Sequence, residues 1–274
     1  MRQPARVRLG AVTYLNARPL VYGLDRHAGF EVRYDIPSEC AQLLHARETD
    51  VGLIPSIEYL RGPRPYLLVP GGAVTSKGAV ASVAIYTRRD PRDIRTIAMD
   101  SSSRTSVTLA TVLLRRWYGA APDAISMAPD LDAMLRSADA ALIIGDTALF
   151  IDHKAAGVIK IDLGEAWTAM TRLPFVYAFW AGWPDALTPD QVEALQCARD
   201  SGVAHADEVA GAYYPADTAR QAVAREYLRD NIRYVFGPEE LAGLETFYRY
   251  AAELNLVAFD GELRFYHVQH HGAR

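Results

Sequence analysis

The apolar run Thr96-Ile97-Ala98-Met99 gives way to Asp100-Ser101-Ser102-Ser103-Arg104-Thr105-Ser106-Val107-Thr108, and then to the stripe Val107, Ala110, Leu113, Leu114 and Trp117 at helical spacing. A short apolar run followed at once by a 3.6-residue period means a strand that turns sharply into a helix. The corner carries six hydroxyl side chains in the eight positions 101–108. The first N–H groups of a helix have no internal partner and sit at the positive end of its dipole, so this corner suits a carboxylate or phosphate. One serine, Ser102 or Ser103, is enough for a helix cap. The surplus of hydroxyls points to an anion site.

The same alternation of strand and helix runs along the chain. Val7–Val12 reads as a strand, and Pro19 suits the first turn of a helix through Leu20, Val21 and Leu24. Phe30, Val32, Tyr34 and Ile36 alternate with polar residues as a second strand. Ser38 is placed to cap a helix reaching about Arg47, and Val51–Ile54 is a short buried strand ending at Pro55-Ser56. Further strands are expected at Ser82–Tyr86, Ala140–Ile144 and Phe175–Trp180. The remainder reads as mainly helical: Thr188-Pro189-Asp190-Gln191 is a capping box, and 219–233 and 239–254 are amphipathic. Asp260-Gly261 resembles a two-residue hairpin turn.

Alternating strands and helices argue for an α/β architecture of parallel sheets with helices on both faces. Ligands of such sheets bind beyond the carboxyl ends of the strands. Four corners fit that position: Thr13-Tyr14-Leu15-Asn16, Pro55-Ser56, Ser101–Ser106 and Gly145-Asp146.

Composition narrows the partners. The chain has 274 residues, half of them hydrophobic, enough for one large domain or two moderate ones. Net charge is −4 with no basic block, which argues against nucleic acid. Cys40 and Cys197 have no metal-ligand spacing and read as reduced thiols. The start, Met1–Arg6, lacks the apolar core of a signal peptide, and no apolar run is long enough to span a bilayer. A cytoplasmic protein without a membrane partner is expected.

The motifs Thr13-Tyr14-Leu15-Asn16-Ala17-Arg18-Pro19-Leu20, Gly52–Tyr59, Ser82–Tyr86 and Asp100–Leu109 occur in the order seen in one family. The chain resembles the chorismate dehydratase of the futalosine route to menaquinone. The resemblance covers almost the whole chain. The sister enzyme, 1,4-dihydroxy-6-naphthoate synthase, reads differently around the corresponding asparagine and is the related alternative. Both have the type II periplasmic-binding-protein fold, two α/β lobes with mixed sheets joined by two crossing strands. The resemblance implies Ser82–Tyr86 and Val176–Trp180 as the crossings, with lobe one at 1–86 plus 181–274, lobe two at 87–180, and the ligand cleft between them. The implied reaction is loss of water from chorismate, giving 3-[(1-carboxyvinyl)oxy]benzoate.

On this reading Asn16 is the catalytic candidate, because an amide donates to a leaving hydroxyl without carrying charge. Thr13, Tyr14, Arg18, Ser56, Ser82, Ser102, Ser103, Thr105, Ser106, Gly145 and Asp146 are the substrate-binding candidates for a small dianion. Arg104 is a further carboxylate partner, and Tyr86 and Trp180 either pack on the ligand ring or pack the hinge. Asp146, a histidine or the substrate's own enolpyruvyl carboxylate could take the proton. None of His27, His45, His153, His205, His267, His270 or His271 falls in a motif corner. No ligand cluster, P-loop or dinucleotide fingerprint is present, so neither metal nor cofactor is expected. The rival class is a non-catalytic binding or sensor protein, since a fold does not fix a function.

Overall fold

The structure is a computed structural model that describes residues 6–267. Two five-stranded sheets carry the described chain, each covered by helices. The first is built from β1 (Val7–Val12), β2 (Phe30–Asp35), β3 (Val51–Pro55) and β4 (Leu67–Ser76), with α1 (Pro37–His45) between β2 and β3. The second holds β5 (Val83–Thr87), β6 (Thr96–Asp100), β7 (Asp123–Met127), β8 (Ala140–Ile144) and β9 (Ile159–Asp162). Its helices are α2 (Thr105–Leu113), α3 (Leu131–Ser137), α4 (Gly145–Leu149) and α5 (Leu163–Thr171). The chain then returns to the first sheet as β10 (Phe175–Gly182) and continues as α6 (Pro189–Ala204), α7 (Ala206–Tyr213), α8 (Thr218–Glu226) and α9 (Pro238–Glu253).

Strand order is β2-β1-β3-β10-β4 in one sheet and β7-β6-β8-β5-β9 in the other. The sheets are mixed rather than parallel, because β10 runs antiparallel to β3 and β4, and β5 antiparallel to β8 and β9. Each strand after a crossing thus enters its new sheet between two existing neighbours with reversed direction. The entering strands are β5 and β10; of the expected crossing Ser82–Tyr86, Ser82 stands just before the strand, while Val176–Trp180 lies wholly within β10. The first crossing is pinned by the buried Asp162 carboxylate. It accepts from Val80 N at 3.0 Å and Ala81 N at 2.7 Å while also capping α5 through Gly164 N and Glu165 N. Ala81 takes a positive φ of 64° there, and Lys160 Nζ donates to its carbonyl at 2.7 Å.

Several local expectations meet a physical correction. Residues Leu15–Val21 form a 3-10 helix around Pro19, not an α-helix begun by it. Ser38 does not cap α1: Pro37 takes the first helical position, Ile36 stands at the cap, and Ser38 is buried. Trp117 is 48% exposed, because α2 widens into a π-turn at Leu114–Tyr118 and the apolar stripe loses register before reaching it. Around Asp260-Gly261 there is a bend and no hairpin; Phe265 instead bridges Leu68 in parallel. The capping box at α6 forms as expected, with Thr188 N donating to Gln191 Oε1 at 3.0 Å. Gly202 of α6 meets the backbone of Pro19, so a side chain there would push the helix off the motif that carries Asn16.

Candidate active site

The carboxyl ends of β1, β3, β6 and β8 release the four corners, and they converge on one cavity of about 60 Å³. Tyr14, Asn16 and Pro55 come from the first sheet's side, and Ser103, Arg104, Thr105, Ser106, Ile144 and Gly145 from the second's. Val12, Leu53, Val74, Val83, Tyr177 and Ala178 supply most of the remaining wall. A mostly apolar wall with a few converging polar groups results, which suits a ring bearing carboxylates.

At the serine corner α2 begins at Thr105, and the cap residue Arg104 makes no side-chain capping bond. The N–H groups of Thr105, Ser106 and Val107 take no acceptor among the described residues. Neither Ser102 nor Ser103 therefore serves as a simple cap. The Ser103 and Ser106 hydroxyls likewise have no protein partner among the described residues, and both residues line the cavity. Thr105 is differently used: its Oγ1 accepts from Ile57 N at 3.2 Å and lies 3.4 Å from Ser56 Oγ. Arg104 is exposed and reaches the cavity rim.

Other predicted residues stand behind the wall. Ser102 donates to Asp100 Oδ1 at 2.7 Å, which leaves Tyr14 to donate to Ser102 Oγ at 3.0 Å. Burial pushes the Tyr14 phenol above its usual pKa, so it stays a donor at neutral pH. Ser56 is fully buried and donates to Val176 O at 2.8 Å. Ser82 bonds Tyr227, and Thr13 and Arg18 line a separate open groove with Tyr22, Tyr34 and Tyr213. Arg18 lies over the rings of Tyr34 and Tyr213, at 4.6 and 5.3 Å. Tyr86 donates to Ala148 O in the core of the second sheet and Trp180 is buried in the main core; neither lines the cavity.

Gly145 holds a φ of +63°, and a Cβ there would lie 2.9 Å from the Tyr14 ring. Only glycine lets the two sides close this far. Asp146 is a latch across the same gap. Its Oδ1 accepts from Leu15 N at 3.2 Å and its Oδ2 lies 2.5 Å from the Tyr213 hydroxyl, which is also 3.0 Å from the Thr13 carbonyl. Two acceptors cannot share one phenolic proton well. The Tyr213 hydroxyl faces both acceptors and donates to Asp146 at the shorter distance. Burial raises the Asp146 pKa above the usual carboxylate value, and the hydrogen bonds from Tyr213 and Leu15 oppose the shift.

Among the described residues, the cavity lining holds no histidine, aspartate, glutamate or lysine. His27 accepts from Gly29 N, His45 bonds Tyr66 and Glu58, and His205 lies against Ser201 and Tyr22. His270 and His271 lie outside the described residues. No group of three or more His, Cys, Asp or Glu among the described residues is placed to hold a metal, and no helix among them is long and apolar enough to cross a membrane.

Three tyrosines escaped the sequence reading. Tyr177 follows from the aromatic alternation of β10, whose inward face had no assigned direction. Tyr213 and Tyr227 come from C-terminal helices with no motif, and only the fold brings them to the corners.

Residues 7–253 match the model of the family described as menaquinone biosynthesis. The chain belongs to this family. A chorismate dehydratase from Thermus thermophilus is 30% identical over 255 residues, covering 87% of this chain and 93% of that protein. Among solved structures, a protein from Archaeoglobus fulgidus superposes with a TM-score of 0.73 at 17% identity, over 92% of this chain and 98% of that one. The periplasmic aliphatic sulphonate binding protein of Escherichia coli gives a TM-score of 0.68 at 15% identity, over 99% and 95%. These likenesses place the menaquinone-biosynthesis chain in the periplasmic-binding-protein fold.

Proposed function

We propose that this chain is a chorismate dehydratase, a hydro-lyase acting in the cytoplasm. The observation that carries the reading beyond family membership is the α2 corner. Uncommitted N–H groups and the Ser103 and Ser106 hydroxyls face a cavity that also holds Asn16. Chorismate offers two carboxylates, and one of them fits this corner, where the dipole and the donors favour negative charge. Because β5 is built into the second sheet and β10 into the first, the boundaries expected at 86/87 and 180/181 move to the crossings, and the segment from about 82 to 174 acts as one half of the clamp against the chain on either side of it.

Elimination removes the C3 hydrogen and the C4 hydroxyl as water, and the ring becomes aromatic. The C3 carbon is vinylogous to the ring carboxylate, so charge formed there spreads into that carboxylate. Donors at the carboxylate then stabilise the transition state as well as the bound substrate. The cavity wall offers no side chain suited to general base catalysis, which favours the substrate's enolpyruvyl carboxylate as the proton acceptor. Asn16 donates to the departing hydroxyl. Asp146, held by Leu15 and Tyr213, acts in closure and not as the base.

The test is direct: incubate the protein with chorismate, without added metal or cofactor, and follow substrate and product by mass. Consumption with appearance of a product lighter by one water is expected. Binding without consumption would leave the non-catalytic reading in place.

A further inference from the structure

Asp100 ends β6 and is buried, 1% exposed. Its Oδ1 accepts from Ser102 N at 2.9 Å and from Ser102 Oγ at 2.7 Å, and its Oδ2 accepts from Ile144 N at 3.3 Å. Ile144 ends β8 just before Gly145, so one carboxylate ties the corner after β6 to the corner after β8. Tyr14, from the first sheet's side, sits between those two corners. Its hydroxyl lies 3.0 Å from Ser102 Oγ, and its ring covers Gly145, where a Cβ would not fit. The one hydroxyl proton of Ser102 goes to Asp100, so its oxygen offers Tyr14 only lone pairs and the phenol must donate. Asp100 and Ser102 stand outside the cavity lining, whereas Tyr14 lines it and precedes Asn16 by two residues. The Tyr14 carbonyl accepts from Ala17 N at 3.1 Å, which closes the first turn of the 3-10 helix that carries Asn16.

We infer that Tyr14 is a positioning residue for the elimination: seated in the socket that Asp100 and Ser102 build between the two corners, it sets Asn16 in register with the serine corner across the cleft. The inference rests on the chorismate reading. The substrate must meet Ser103 and Ser106 on one side and Asn16 on the other at the same moment. A slip of about 1 Å between the sides leaves one end bound and the other misplaced, and such errors cost turnover steeply. The Tyr14–Ser102 bond joins the corner of Asn16 to the residue next to Ser103, so it fixes the spacing that matters.

Tyr14→Phe keeps the ring over Gly145 and removes the hydroxyl, and Ser102→Ala removes its acceptor without altering the cavity wall. Each should lower kcat ~10-fold, the scale of one hydrogen bond, with KM for chorismate changed ~2-fold at most. The double variant should fall no further than either single one, because both delete the same bond. Ser102→Thr keeps the hydroxyl and should keep most of the turnover. A normal kcat in Ser102→Ala beside a loss in Tyr14→Phe would mean that the phenol acts on the substrate itself, and would overturn the inference. Losses that add fully in the double variant would overturn it too. Should Tyr14→Phe fail to fold, the two Ser102 variants carry the test: a loss in Ser102→Ala recovered in Ser102→Thr supports the socket, and an equal loss in both contradicts it. A wild-type protein that binds chorismate without converting it would remove the proposed function together with this inference. A converting wild type with an indifferent Ser102→Ala would remove the inference alone.

Discussion

Among the described residues, the cavity-lining Ser103 and Ser106 hydroxyls have no hydrogen-bond partner, unlike those of Ser102 and Thr105. Ser102 is engaged with Asp100 and Tyr14, and Thr105 with Ile57. Changing Ser103 and Ser106 together to Ala should raise KM for chorismate ~10-fold or more, the scale of losing hydrogen bonds to a charged group. The melting temperature should barely move, since neither hydroxyl supports the fold. A large loss of stability with normal KM would make the corner structural. The serine cluster was legible in the sequence as a surplus of hydroxyls over what a cap needs. Which of them were free was not, because that depends on Asp100, Tyr14 and Ile57 arriving from other elements.

The short helix α4 carries the latch, and Asp146 is where its charge state is felt. A raised pKa means that the ionised carboxylate costs stability at neutral pH, and that the cost is relieved as pH falls through the raised native value. Asp146→Asn mimics the protonated form and should be more stable than wild type at neutral pH, with the difference shrinking as pH falls. It should also keep most of the turnover, as its amide can donate to Tyr213 and its carbonyl can accept from Leu15. Loss of turnover in Asp146→Asn with intact folding would return this carboxylate to the role of base. Elements were legible where periodicity was strong, as at β1, β3, β6 and the capping box of α6. β4 was missed because Pro70-Gly71-Gly72 reads as a turn, whereas an edge strand with register shifts tolerates all three. β7 is an exposed edge strand without alternation, and β9, at the other edge, alternates as Ile159-Lys160-Ile161-Asp162 over only four residues, too few to stand out.

At the scale of the whole molecule, the space between the two sheets is small. A cavity of about 60 Å³ is smaller than the ~150 Å³ that holds one benzene, so a substituted ring cannot enter without separation of the two sides. We expect opening to break the Tyr14–Ser102, Leu15–Asp146 and Tyr213–Asp146 contacts and to pivot at the crossings near Ala81 and Phe175. Small-angle scattering should show a smaller radius of gyration with the aromatic product than without it, and identical profiles at saturation would argue against a clamp. A base that belongs to the substrate should leave the rate flat down to roughly pH 5, whereas a histidine would give a limb near its free pKa of about 6.5. The central claim is that this clamp presents Asn16 to the departing hydroxyl, and turnover and product affinity of Asn16→Leu measured on one preparation test it most directly. Turnover should fall ~100-fold or more, the scale of losing one preorganised donor, while product affinity weakens far less. Near-normal turnover in Asn16→Leu would contradict the account.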